Sequence, residues 1–166
     1  MDTQKGQKHA DKTAYIILHN VRSVYNVGSA FRTADALGID KIFLTGYTPT
    51  PLDRFGQPRK DLAKVALGAE KTLEWEYVKN PANLIERLKG EDVQCIAVEQ
   101  SEKSVDYKKV KVQYPVAFLF GNEVSGVSKS LLSRMDVIAE IPMSGKKESL
   151  NVSVSLGVAL FRMLNR

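Results

Sequence analysis

Three short polar segments hold the residue types best suited to chemistry. The first is Asn20-Val21-Arg22-Ser23-Val24-Tyr25-Asn26-Val27-Gly28-Ser29-Ala30-Phe31-Arg32. The Asn26 amide is suited to cap a helix starting at Val27. The forked guanidinium of Arg32 matches phosphate oxygens, on the edge of that helix nearest the open end of the sheet. The second is Phe118-Leu119-Phe120-Gly121-Asn122-Glu123-Val124-Ser125-Gly126. Here an apolar run ends in a glycine that lets a ligand or another backbone come close. The Glu123 carboxylate is placed to accept hydrogen bonds from a ribose, from a catalytic arginine or from backbone N–H groups of the next helix. The third is Ile141-Pro142-Met143-Ser144-Gly145-Lys146-Lys147-Glu148-Ser149-Leu150-Asn151-Val152. In extended chain Ser149 and Asn151 face one way and Leu150 the other, which offers an apolar wall for an adenine and a polar pair for a substrate. Taken singly, each segment is equally well read as a cap, a turn or a salt-bridged surface.

Other chemistries find less support. The Asn26-Val27-Gly28-Ser29 stretch lacks G-x-G-x-x-G spacing, and no P-loop lysine motif occurs. The two histidines, His9 and His19, make no credible Ser-His-Asp set, and His19 reads as a strand-end residue. The single cysteine, Cys95, lies in the apolar run Gln94-Cys95-Ile96-Ala97-Val98 and reads as a small buried hydrophobe. One cysteine and two histidines exclude a Cys/His zinc site, so no metal is expected.

The three segments need a frame to bring them together. Apolar runs predict strands at 15–18, 41–45, 75–78, 94–98, 116–120 and 137–141. Helical spacing of Val27, Ala30, Phe31, Ala34 and Leu37 predicts a helix that stops at Gly38. Further helices are expected around 62–67, from Pro81 through Leu88, from Ser128 or Ser130 through Met135, and from Asn151 along the stripe Val152, Leu156, Ala159, Leu160 and Met163. Residues 46–60, with Pro49, Pro51, Pro58, Gly46 and Gly56, are expected to be irregular. Alternating strands and helices predict an α/β fold, a mostly parallel sheet with helices on both faces. Ligands bind such sheets beyond the carboxyl ends of the strands, and each polar segment follows a predicted strand.

The 166 residues, 43% hydrophobic and 26% charged, suit one globular domain that needs no disulfide or metal to fold. Residues 1–13 read as a disordered polar tail and 14–166 as a single domain. The tail has no apolar h-region, and no stretch reaches the roughly 20 apolar residues of a membrane span. A soluble, reduced, cytoplasmic protein is expected, with no membrane partner. The net charge of +5 favours polyanionic partners, nucleic acid above all.

Together, and in this order, the motifs N-x-G-x-x-x-R (Asn26 to Arg32), G-N-E-x-x-G (Gly121 to Gly126) and I-P…S-L-N (Ile141 to Asn151) resemble the SpoU/TrmH branch of the SPOUT RNA methyltransferases. Val98-Glu99-Gln100 and Lys103-Ser104-Val105 are similar to that branch too, and the resemblance runs from about Tyr15 to Leu164. It implies a SPOUT fold whose C-terminal part is tied in a deep trefoil knot, and a homodimer with the active site at the interface. It implies 2′-O-methylation of ribose in tRNA or rRNA, with S-adenosylmethionine as methyl donor and S-adenosylhomocysteine as product. Carried over by position, the catalytic set is Asn26, Arg32, Glu123, Ser149 and Asn151. The cofactor set is Val98, Glu99, Gly121, Asn122, Ile141, Met143 and Leu150, with Ile141 and Leu150 flanking adenine. The resemblance gives Arg32 the role of general base. A guanidinium gives up its proton only above about pH 12, so Arg32 is either strongly perturbed by its site or orients ribose and phosphate. Many relatives carry an N-terminal RNA-binding domain or helical extensions. Here RNA is expected to be gripped by the core or a partner, with the 46–60 loop and Lys146-Lys147 as candidate phosphate contacts. Two alternatives stand beside this: a knotted RNA-binding protein without activity, and a base-methylating SPOUT enzyme.

Overall fold

The computed structural model describes residues 12–166. The tail expected over 1–13 lies outside the described residues except for Lys12 and Thr13. Thr13 already extends the central pairing of the sheet, its carbonyl accepting from Val116 N at 3.0 Å.

The six expected strands form: β1 (Ala14–His19), β2 (Lys41–Thr45), β3 (Glu74–Val78), β4 (Gln94–Val98), β6 (Val116–Phe120) and β7 (Val137–Glu140). A seventh, β5 (Val105–Asp106), is two residues long, too short to leave a periodic trace in the sequence. All pair in parallel, in the order β3-β2-β1-β6-β4-β7-β5. The central strands are buried on both faces, which explains their unbroken apolar runs. Ile16 and Leu18 of β1 belong to one core with Phe31, Leu62 and Leu156. Ile17 points the other way, into a second core with Phe43, Leu84, Leu119 and Leu131.

The helices are α1 (Val24–Leu37), α2 (Lys60–Ala66), α3 (Ala69–Thr72), α4 (Pro81–Gly90), α5 (Lys129–Leu132) and α6 (Val152–Met163). Residues of α1, α2 and α6 lie in the first core, and those of α4 and α5 in the second. The helix α1 stops at Gly38, in the left-handed region at φ 66°. It begins earlier than the apolar spacing predicts, because Ser23 rather than Asn26 is its cap: Ser23 Oγ accepts from Asn26 N at 3.2 Å. Pro81 opens α4, capped by Asn80, Ser128 caps α5, and Asn151 caps α6. Cys95 is fully buried, and burial pushes its thiol up to about 11, in keeping with a core residue rather than a nucleophile.

Candidate active site

The register of the sheet sets the site. Leu18 of β1 lies opposite Phe120 of β6, so the chain leaving β1 and the chain leaving β6 emerge side by side. The early start of α1 then puts Asn26 inside the first turn instead of at the cap. Its side chain is thereby free to face the β6 loop, and the residue is only 6% exposed. Asn26 Nδ2 donates to Glu123 Oε1 at 3.2 Å. Its Oδ1 accepts from Asn151 Nδ2, also at 3.2 Å. Asn151 Oδ1 meanwhile accepts from Ser153 N at 2.9 Å, which starts α6. Three loops distant in sequence are thus joined by one chain of amide and carboxylate groups, and the buried amide has both ends satisfied.

Beside this chain lies a cleft of about 390 Å³. All seven expected cofactor positions line it: Val98, Glu99, Gly121, Asn122, Ile141, Met143 and Leu150, together with Glu123 and Ser149. The wall built by 121–127 is folded back tightly. Gly126 has φ 64°, and a Cβ there would sit 2.5 Å from Glu99 Oε2. A Cβ on Gly121 would sit 2.5 Å from Val127 Cγ2 and 2.8 Å from the Gly126 carbonyl. Only glycine permits this approach at both positions.

Two of the seven residues shape the wall with their side chains. Glu99 accepts from Val127 N at 3.2 Å and from Gln100 N at 2.9 Å. Asn122 Oδ1 accepts from the backbone N–H groups of Val124 and Ser125, both at 2.8 Å. Asn122 Nδ2 donates to Asn20 O at 2.9 Å and to Tyr47 Oη at 2.8 Å. The Oδ1 bonds are Asx-turn bonds that fix the loop, and the Nδ2 bonds tie it to the chain after β1 and β2.

Ser149 is exposed at the lip of the cleft. Arg32 is placed differently from the rest. It is exposed on α1, roughly 9 Å along the helix axis from Asn26, and it does not line the cleft. Among the described residues its side chain makes no hydrogen bond and no salt bridge. The chain itself therefore unites Asn26, Glu123 and Asn151, and leaves Arg32 facing outward.

Gln100 and Tyr47 lie outside the expected catalytic and cofactor sets, although Tyr47 falls in the 46–60 loop expected to meet phosphate. Gln100 Nε2 donates to Glu148 O at 2.7 Å and ties the third segment to the end of β4. Its position two residues beyond β4 is the available signal. Tyr47 likewise lies two residues beyond β2. His19 ends β1 as expected. Its Nε2 accepts from Asn20 Nδ2 at 3.2 Å, which leaves Nδ1–H to donate to Thr45 Oγ1 at 2.9 Å. Burial holds its pKa below the usual 6.5.

The charge of the cleft is one-sided. Glu99, Glu123 and Glu148 line it, and no Lys, Arg or His does so. Such a site favours a cationic ligand and repels phosphate. Among the described residues no group of three or more His, Cys, Asp and Glu is placed to hold a metal ion. Among the same residues no helix is long and apolar enough to cross a membrane.

A parallel sheet with a largely polar, carboxylate-lined cleft beyond its strand ends defines an α/β small-molecule-binding domain. The family model described as "SpoU rRNA Methylase family" matches residues 13–161. The chain belongs to that family. It is 32% identical over 145 residues to the 23S rRNA (guanosine-2'-O-)-methyltransferase RlmB of Neisseria meningitidis, covering 87% of this chain and 55% of that protein. It is 31% identical over 150 residues to the tRNA (guanosine(18)-2'-O)-methyltransferase of Aquifex aeolicus, covering 90% of this chain and 68% of that one. The AdoMet-bound rRNA methyltransferase of Sinorhizobium meliloti superposes with a TM-score of 0.81 at 28% identity, over 92% of this chain and 56% of that chain. The chain thus spans a little over half the length of the Neisseria and Sinorhizobium proteins.

Proposed function

We propose that this chain is an RNA methyltransferase that moves a methyl group from S-adenosylmethionine to a ribose 2′-hydroxyl of tRNA or rRNA, leaving S-adenosylhomocysteine and releasing the hydroxyl proton. The observation that carries this is the Glu123–Asn26–Asn151 chain, which meets at Glu123 an anionic cleft whose apolar lining includes Ile141, Met143 and Leu150. Family membership and the activities of the Neisseria and Aquifex relatives support the same choice.

The residues present fit the donor. The cleft volume lies in the roughly 300–1,000 Å³ range of small-molecule sites. Ile141 and Leu150 would hold the adenine, with Val98 and Met143 beside them. The carboxylates suit a positively charged ligand and speak against a phosphate-bearing cofactor. When bound, S-adenosylmethionine supplies a methyl carbon made electrophilic by its cationic sulfur. Everything else falls to the chain. Asn26 fixes the orientation of Glu123, whose remaining lone pairs accept the hydrogen bond of a ribose hydroxyl. Ser149, exposed at the lip, and Asn151, bonded to Asn26, help to position the sugar. Arg32 orients the ribose and its phosphate with its donor fork. Holding hydroxyl and methyl donor in line supplies much of the rate.

Because Arg32 is exposed and does not line its own protomer's cleft, we infer that it reaches the site from a second copy. The proposed assembly is a homodimer in which α1 of one protomer faces the cleft of its partner. Val154, Val158 and Phe161 form an exposed apolar stripe on α6, and Tyr25 on α1 is 64% exposed. That much unpaired apolar surface supports burial against a like copy. The deep C-terminal trefoil knot belongs to the same proposal, over a single domain of residues 14–166. It is supported by the entry of β7 between β4 and β5, the Gln100–Glu148 bond, and the packing of α6 within the α1 core. A soluble cytoplasmic enzyme fits these properties.

The test is calorimetry with S-adenosylmethionine beside a methyl-transfer assay on bulk tRNA and rRNA. The parent chain and Arg32→Ala are expected to bind the donor alike, while only the parent methylates RNA. No binding by the parent, or normal turnover by Arg32→Ala, would overturn the assignment.

A further inference from the structure

A second groove, of about 690 Å³, opens beside the cleft where the chain leaves β2. Its rim carries three exposed aromatic rings: Tyr47 at 57%, Phe55 at 73% and Tyr77 at 46% exposure. These rings are held in place by a built loop. Asp53 Oδ1 accepts from Phe55 N at 2.8 Å and from Gln57 N at 2.9 Å. Leu52 and Pro58 form a bridge that closes the loop. Tyr77 Oη–H donates to Gly46 O at 2.8 Å. The guanidinium carbon of Arg54 lies 4.8 Å from the centre of the Phe55 ring. Among the described residues neither Arg54 nor Lys60 has a carboxylate within salt-bridge distance, whereas Arg59 is held by Asp61 at 3.1 Å.

We propose that this groove is a stacking platform for an unpaired nucleobase of the substrate RNA, with Tyr47 as the positioning residue that registers the platform against the Glu123 loop. The proposal rests on the ribose-methylation reading above. Three observations support it. Open aromatic faces interleaved with unpaired cations are the chemistry that grips single-stranded nucleic acid. The anionic cleft repels phosphates, so the RNA backbone must run outside it, and the adjoining groove supplies free positive charge. Finally, Tyr47 Oη accepts from Asn122 Nδ2 at 2.8 Å. A base stacked on Tyr47 therefore sits one hydrogen bond and one peptide unit from Glu123. Bases within a duplex are already stacked on each other, so the platform selects unpaired ones.

The experiment uses fluorescence anisotropy with three RNA probes: a hairpin with an unpaired loop, the same hairpin with an abasic loop, and a duplex of equal length. Phe55→Leu and Tyr47→Leu are each expected to weaken hairpin binding about tenfold, with no change for the duplex. The abasic loop should cost the parent a similar factor. Arg54→Gln should lower the salt slope of binding by about one, which the aromatic variants leave alone. Tyr47→Phe keeps the ring and loses the bond to Asn122, so RNA affinity and KM should hold while kcat for methyl transfer falls about tenfold. Equal binding of the two hairpins by the parent would overturn the platform. So would hairpin affinity within twofold for both Leu variants with unchanged circular dichroism, or an equal loss on the duplex. A groove that docks a protein or a membrane instead would give the first of these results. Donor binding by calorimetry reports separately on the methylation reading, so either idea fails without the other.

Discussion

Asn26 donates a 3.2 Å hydrogen bond to Glu123, joining residues 97 positions apart in sequence. The bond exists because β1 and β6 are neighbours in register and because Ser23, not Asn26, caps α1. It converts an exposed carboxylate into one of fixed direction. It also leaves Asn26 with no freedom to change, since its other end accepts from Asn151.

Replacing this amide by a group of the same shape and opposite preference tests the linkage. Asn26→Asp sets a second carboxylate against Glu123 and removes the donor. Stability is expected to fall by about 1–3 kcal/mol and methyl transfer by about a hundredfold. Thermal unfolding and the transfer assay would show it. An unchanged melting temperature together with parental turnover would remove Asn26 from the site.

The outward position of Arg32 makes a complementation experiment decisive. Arg32→Ala and Glu123→Gln homodimers should each be inactive. Mixed and reassembled, a heterodimer carries one complete site if Arg32 acts across the interface. About a quarter of parental activity is then expected from a statistical mixture. Activity that stays at background after mixing would place Arg32 in its own protomer's site.

The wall of the cleft should tolerate no side chain at Gly126. Gly126→Ala forces a residue with Cβ to φ 64° and displaces Glu99, which holds Val127 N. A loss of at least about 1 kcal/mol is expected, with weaker donor binding by calorimetry. Gly145→Ala is the control, because a Cβ there meets nothing within 4 Å. Equal effects of the two substitutions would refute this account of the wall.

Burial lowers the His19 pKa in the folded chain below its usual 6.5. The unfolded chain therefore takes up the proton more readily. The histidine makes no pH-dependent difference well above pH 6.5. As pH falls through 6.5 it costs stability, until the folded-state pKa is passed. Urea unfolding between pH 5 and 7.5 should show a steeper loss for the parent than for His19→Gln. Parallel curves would mean that His19 is not held neutral by the fold.

The pattern of apolar runs was enough to place the six longer strands, and residue motifs were enough to find the cleft wall. What the sequence concealed was local. Spacing suggested Asn26 as a cap because Val27 opens the apolar stripe; Ser23 competes for the same role and wins, and this frees Asn26 for Glu123. The β5 strand is a two-residue pairing made only by β7's arrival. Asn122 resembled a ligand contact, yet its side chain is spent on the loop and on Tyr47, partners that no spacing rule brings together. Tyr47 itself carries no motif, and its importance appears only when the loops after β2 and β6 are seen side by side.

The central claim concerns which atom receives the methyl group. Bulk tRNA and rRNA incubated with the protein and labelled S-adenosylmethionine, then digested to nucleosides, answers it by mass spectrometry. Label is expected in a 2′-O-methylnucleoside, with the added mass on the ribose fragment, and none with the Arg32→Ala protein. Label on a base fragment, or no label in RNA from a protein that binds the donor, would contradict it.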